Sequence, residues 1–399
     1  MSFSELWAGL EPIGRCAETG GYRRYSWTAV DAECRAWFTG QARARGLAVS
    51  PDRNGNLWAW WGERGPGTVV TGSHLDSVPD GGAFDGPLGI VSAFAAVDLL
   101  RERGAEPVKP VAVAAFVEEE GARFGVACLG SRLLTGVVDS SRARGLVDDG
   151  GVSYGTAMAA AGLDPDGIGA DEDLVATIGA FVELHVEQGR ALAPLGHAIG
   201  IADSIWPHGR WRLDFTGVAD HAGTAQFADR KDPMLPYAST VLAARRIAGE
   251  QGALATFGKV IAEPGGANGV SAAVHAWLDA RAADEEVLRE TVSTVCSAAE
   301  KAAVEQGVTF SVRQESATPV VRFDPGLRER ISAVLGAVPV LPTGAGHDAG
   351  VLAARVPAAM LFVRNPTGVS HSPAEHADLA DCEAGVLALA AVLQELACR

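Results

Sequence analysis

Apolar positions follow two different rhythms along this chain. Short, nearly continuous apolar runs occur at residues 56–61, 68–74, 111–117, 180–185 and 358–363. Runs of that length, dense in Val, Ala and Phe, predict strands covered on both faces rather than half-exposed ones. Between them lie helical signals. Residues 28–45 carry Val30, Cys34, Trp37 and Phe38 at helical spacing, and the alanine-rich stretch 86–101 predicts a buried helix that starts from a glycine loop. Strands alternating with helices predict an α/β layer fold, a mixed sheet flanked by helices. The middle of the chain alternates instead. It predicts strands at 211–217, 253–262, 273–281 and 308–313, with helices at 233–250 and 285–306. That β-α-β-β-α-β order predicts a ferredoxin-like α+β domain. The expected organisation is therefore one domain built from 1–203 and 319–399, interrupted by an inserted domain at 204–318. The outer domain resumes with a helix, a loop at 343–350, the strand at 358–363 and a terminal helix from about Pro373.

At 399 residues, two cores are expected rather than one. A net charge of −16 argues against nucleic acid or an anionic membrane as the partner. The six cysteines are scattered, with no CxxC pair, which predicts reduced thiols in a cytoplasmic protein. The first residues, Met1-Ser2-Phe3-Ser4-Glu5, lack the basic and apolar regions of a signal peptide. No apolar stretch is long and uninterrupted enough to span a bilayer.

The chemistry gathers where predicted strands end. The 68–74 run ends in His74, followed by Asp76 and the glycine-rich loop that carries Asp85. The 111–117 run ends in Glu118-Glu119-Glu120, the 180–185 run ends in His185, and Gly368-Val369-Ser370-His371-Ser372-Pro373 supplies another histidine. Each has a plainer explanation: a polar turn at His74, a solvated charged face at the triple Glu, a core histidine at His185, a helix start at Ser372-Pro373 beside His371. Taken jointly, several His, an Asp able to bridge and a Glu pair at the carboxyl edge of a sheet form a set of N and O ligands suited to two metal ions.

The segments GSHLDSVPDGGAFDGPLG (72–89), FVEEEGARFGVACLGSR (116–132), ELHVEQG (183–189), ADHAGT (219–224), GAGHDAG (344–350) and GVSHSP (368–373) resemble the two-metal metallopeptidase family of aminoacylase and carboxypeptidase G. Within it they resemble the branch of N-carbamoyl-L-amino-acid amidohydrolases, β-ureidopropionases and allantoate amidohydrolases. The resemblance implies a metallopeptidase-type catalytic domain with an inserted lid and dimerisation domain. It implies two divalent ions (Zn, Mn, Co or Ni) held by His74, Asp85, Glu120, His185 and His371. Asp85 would bridge them, Asp76 would orient His74, and Glu119 would act as general base. His221 would reach the substrate of the partner subunit in a homodimer. Asn268 and Arg281 would hold the substrate carboxylate, Gln188 would lie near the metals, and His347 in a substrate-side loop.

Two stretches depart from the relatives' pattern: Ala225-Gln226-Phe227 where they continue Thr-Pro-Met, and Gly269-Val270-Ser271-Ala272 where they carry a Val-Pro-Gly-type stretch. Both fall in the inserted domain and bear on the substrate, not on the metals. The activity implied is hydrolysis of a ureido C–N bond in an N-carbamoyl-L-amino acid or allantoate-type substrate. The alternatives are an N-formyl or N-acyl amino acid or a dipeptide on the same site, or a ligand-binding protein on a degenerate enzyme fold.

Overall fold

The computed structural model describes residues 1–398. By contact density the chain divides into two compact units, one formed by Met1–Ser204 with the chain from Arg322 onward, the other by Ile205–Val321.

The first unit is built on a nine-stranded mixed sheet. Its order is Ala48–Pro51, Leu57–Trp61, Val111–Phe116, Thr68–His74, Ile178–Val186, Ala358–Val363, Ile199–Ile205 and Val321–Arg322, with Val340–Thr343 pairing to Ile199–Ile205. The four central strands run parallel: Val111–Phe116 beside Thr68–His74, then Ile178–Val186, then Ala358–Val363. Antiparallel strands close both sides. Val111–Phe116, Thr68–His74 and Ala358–Val363 are buried along their whole length, which explains why their sequences read as unbroken apolar runs. Helix Pro87–Glu102 begins with Pro87 in its first turn and buries most of its residues. It packs against the terminal helix Leu379–Ala397 over the sheet.

Gly72 sets how closely the central strands approach. A Cβ at Gly72 would drive into the carbonyl of Ala114 on the neighbouring strand, the residue it faces in register. Gly72→Ala is expected to destabilise the protein by about 3 kcal/mol, the scale of enforced backbone strain. A urea midpoint unchanged from wild type would refute that. An N-terminal helix, Phe3–Leu10, was not anticipated. It buries Phe3, Leu6 and Leu10, and the buried Arg24 fastens its end by donating to the carbonyls of Leu10 and Ile13 at 3.1 and 2.8 Å.

The second unit is an antiparallel sheet in the order Thr309–Thr318, His208–Thr216, Ala273–Arg281, Leu254–Glu263. Helices Met234–Gln251 and Glu285–Glu305 cover one face. The alternating burial of Ala273–Arg281 is the period-2 signature of a strand with one face packed. Among the described residues, no helix is long and apolar enough to cross a membrane. The terminal helix starts at Leu379, not near Pro373. Residues 372–378 instead form a loop that turns Glu375 inward, so the Ser-Pro pair marks a turn and no helix start.

Candidate metal centre

The parallel strands of the first unit deliver polar residues to one edge, in sheet order. The strand ending at Phe116 leads into Glu119 and Glu120, its neighbour ends in His74, the next contains His185, and the fourth leads into the loop bearing His371. Asp85 comes from the loop between His74 and helix Pro87–Glu102. Gly86, at φ +87°, closes that loop over the His74 ring, where a side chain would collide with the imidazole.

Asp85 stands between two triads. Its Oδ1 lies 3.5 Å from His74 Nε2 and 3.2 Å from His185 Nε2. Its Oδ2 lies 3.5 Å from His371 Nε2, which is also 3.5 Å from Glu120 Oε2. The ligand atoms of His74, Asp85 and His185 cluster within 4.8 Å of one another, and so do those of Asp85, Glu120 and His371. The carboxylate thus offers one oxygen to each triad. The structure sorts these candidate ligands: His74 goes with His185, and Glu120 with His371.

The imidazoles are oriented by backbone carbonyls. His74 Nδ1 donates to the carbonyl of Asp76 at 3.1 Å, and His185 Nδ1 to that of Val186 at 2.9 Å. With Nδ1 committed as donor, Nε2 is the nitrogen left for a cation. Both Nε2 atoms are buried with no hydrogen-bond partner. The Asp76 carboxylate has a second task. It accepts the backbone N–H groups of Glu119 and Glu120 at 3.2 and 3.0 Å. Glu118, at φ +55°, turns the chain out of the strand, and its own carboxylate accepts the amides of Arg123 and Phe124. Two consecutive glutamates on a strand would face opposite sides; this left-handed turn lets Glu119 point at His74 (3.7 Å) while Glu120 reaches His371.

The electrostatics follow from carboxylates crowded out of water. Burial pushes Glu119 up to about 7, against the pull of His74 and with Asp76 adding to the rise. Burial and the nearby Asp85 hold Glu120 well above the carboxylate range. Burial opposes a charge on Asp85, but His185 and His74 overcome it and hold its carboxyl well below the usual range. Burial likewise opposes an imidazolium at His185, yet Asp85 raises it to about 9. Glu119 prevails over the same penalty at His74. An excess of buried carboxylates around imidazole nitrogens without partners fits divalent cations, which would take the protons' place.

Glu183, Cys128 and Glu375 were not singled out in the sequence, unlike Gln188 and His347. Glu183 precedes His185 by two residues and so shares its face of the strand; it accepts from Ser73 Oγ at 2.7 Å and from the Ala349 amide at 2.9 Å. Cys128 donates its thiol to Glu119 Oε1 at 3.1 Å. Glu375 accepts the amides of Phe84 and Asp85. Gln188 lies at the centre itself, its amide nitrogen 2.8 Å from Asp85 Oδ2 and 3.1 Å from Ser370 Oγ. His347 is buried with its ring centroid 4.5 Å from that of His185. Burial and the charge on His185 hold it well below the usual range, so it stays a neutral imidazole.

His221, Asn268 and Arg281 belong to the second unit. A two-stranded ribbon pairs Asp220–His221 with Gly269–Val270, and the Ala222 amide donates to the Asn268 carbonyl at 3.0 Å, so His221 and Asn268 sit side by side. Arg281 ends the strand that follows, where Asp279 receives its guanidinium at 2.8 and 3.2 Å.

The chain is also similar to known proteins. The pattern of the peptidase family M20/M25/M40 matches residues 70–395. An N-carbamoyl-L-amino acid amidohydrolase of Geobacillus stearothermophilus is 36% identical, covering 98% of each chain. An allantoate amidohydrolase of Bacillus subtilis is 33% identical over 97% of this chain and 95% of its own. The crystal structure of an amidase of the hydantoinase/carbamoylase family from Burkholderia vietnamiensis superposes with a TM-score of 0.89 at 29% identity, covering 100% of this chain and 98% of that one.

Proposed function

The chain belongs to the peptidase family M20/M25/M40, and on that premise we propose that it hydrolyses the ureido C–N bond of a small carboxylate-bearing substrate. The substrate is an N-carbamoyl-L-amino acid or an allantoate-type compound, and the products include ammonia and carbon dioxide. One observation carries the reading: Asp85 turns one oxygen to His74 and His185 and the other to His371. Two ions would share a carboxylate placed in this way.

His74, Asp85 and His185 would hold one ion; Asp85, Glu120 and His371 would hold the other. Mixed imidazole and carboxylate ligands accept zinc, manganese, cobalt or nickel. Such ions, when bound, supply Lewis acidity and lower the pKa of water. The chain's own residues supply the rest. Glu119, raised toward neutrality by burial, takes a proton from the attacking water and returns it to the leaving nitrogen. Cys128 holds one of its oxygens and leaves the other toward His74. His221 of the partner subunit stabilises the oxyanion of the tetrahedral intermediate, and Asn268 and Arg281 orient the substrate carboxylate. His347 and Gln188 line the substrate side of the centre.

The second unit also supports assembly as a homodimer. Leu254–Glu263 is an edge strand with Leu254, Val260 and Ile261 exposed, and Leu242 is exposed on the preceding helix. An unpaired apolar edge of this kind invites a second copy. Six free cysteines suit a reducing cytoplasm.

The test is ammonia release from a panel of N-carbamoyl-L-amino acids, N-carbamoyl-β-alanine and allantoate, run with each metal. N-formyl and N-acyl amino acids and dipeptides, read by release of the free amino acid, serve as the competing panel. Turnover of the ureido compounds at least about 100-fold above the others is expected, the range open to a site that hydrogen-bonds its substrate's own polar groups. Turnover confined to the competing panel would overturn the assignment.

A further inference from the structure

The two triads are not built alike. In the first, His74 and His185 sit on buried strands with each ring locked by a backbone carbonyl. In the second, His371 rides on a loop, with φ +54° and a side chain 52% exposed. Something must hold that loop against Asp85. Asn365 shapes its first half, accepting the amides of Thr367 and Gly368 and donating to the Val369 carbonyl at 2.8 Å. Its second half is held by Glu375. This buried carboxylate accepts the amides of Phe84 and Asp85 through Oε1, at 2.9 and 3.0 Å, and the Ser370 hydroxyl through Oε2 at 3.2 Å. The Ser370 hydroxyl also lies 3.2 Å from Asp85 Oδ2. Glu375 therefore ties together two loops nearly three hundred residues apart in sequence, one carrying the shared carboxylate and the other carrying His371.

We propose that Glu375 is a positioning residue that assembles the Asp85–Glu120–His371 half of the centre and so decides whether a second ion is held. The inference rests on the two-ion reading above. Glu375 is none of the five proposed ligands; it acts through the backbone of Asp85 and through Ser370. Without its carboxylate, two backbone N–H groups lose their acceptor and the His371 loop loses its tie. His74 and His185 keep their own supports, and the Gln188 amide still holds the Asp85 carboxylate, so the first triad keeps its arrangement.

The experiment is equilibrium dialysis of the metal-free protein against manganese or zinc, with bound ion counted per chain, alongside thermal unfolding of the metal-free proteins. Wild type is expected to bind two ions. Glu375→Ala is expected to keep one at wild-type affinity and to hold the second at least about tenfold more weakly, the range seen when outer partners of metal ligands are removed. Glu375→Gln keeps an acceptor oxygen for both amides and is expected to restore the second affinity to within about threefold, well short of that loss. Two ions bound by Glu375→Ala as tightly as by wild type would overturn the proposal while leaving the two-ion reading standing; equal weakening of both ions would do the same. Wild type that binds fewer than two ions would overturn both. Should Glu375→Ala fail to fold, Ser370→Ala decides in its place. Selective weakening of the second ion supports the role, and unchanged affinity refutes it.

Discussion

Glu119→Gln is expected to cut turnover by about three orders of magnitude, the middle of the range for a general base, with metal content unchanged. Glutamine preserves the shape of the side chain and the acceptor that meets Cys128, so the turn through Glu118 and the amide bonds to Asp76 persist. What disappears is the basic oxygen facing His74. Glu119 belongs to neither of the triads that share Asp85, so ion binding has no direct reason to fall. Steady-state kinetics paired with elemental analysis checks this. Activity within tenfold of wild type would remove Glu119 from the chemistry.

The second large effect concerns Asp85. Asp85→Ala is expected to lower affinity for both ions by more than about 100-fold, beyond the usual effect of losing an outer partner, and to abolish turnover. Both triads lose a ligand in one change, because the two oxygens of the carboxylate face different partners. The fold should persist: Asp85 lies on a loop whose backbone Glu375 still holds. Removing His185 alone should instead affect one ion, since it meets only Asp85 Oδ1. The same dialysis measurement separates these outcomes. If Asp85→Ala retains one ion at full affinity, the carboxylate is not shared.

Much of this was legible in the sequence, for reasons the structure makes plain. Strands buried on both faces must be apolar throughout, so Val111–Phe116 and Ala358–Val363 announced themselves. Polar residues that end such strands stand at a sheet edge, which marked His74, His185 and the glutamates. The resemblance to the metallopeptidase family is borne out across residues 70–395. The pairing of ligands was not legible, because it depends on sheet order, and Val111–Phe116 lies next to Thr68–His74 on the side away from Ile178–Val186. Nor was the left-handed turn at Glu118, a conformation that a run of three glutamates gives no sign of. Glu375 went unnoticed because Ser372-Pro373 imitates a helix start, and its amide partners at Phe84 and Asp85 are remote in the chain. The strand Ile199–Ile205 was missed because Asp203 and Ser204 interrupt its apolar run.

The two triads also differ in when their residues are synthesised. His74, Asp85 and His185 all precede the unit Ile205–Val321, whereas His371 follows it. A chain emerging from the ribosome carries every residue of the first triad before the inserted unit has been made. The second triad waits until His371 has been added. Any chain that stops short of Ser370, whether by premature termination or by proteolysis, lacks His371 and Glu375 together. A fragment that ends between His185 and Ser370 would carry the proposed ligands of one ion only, so the number of ions bound would distinguish it from a chain that carries His371.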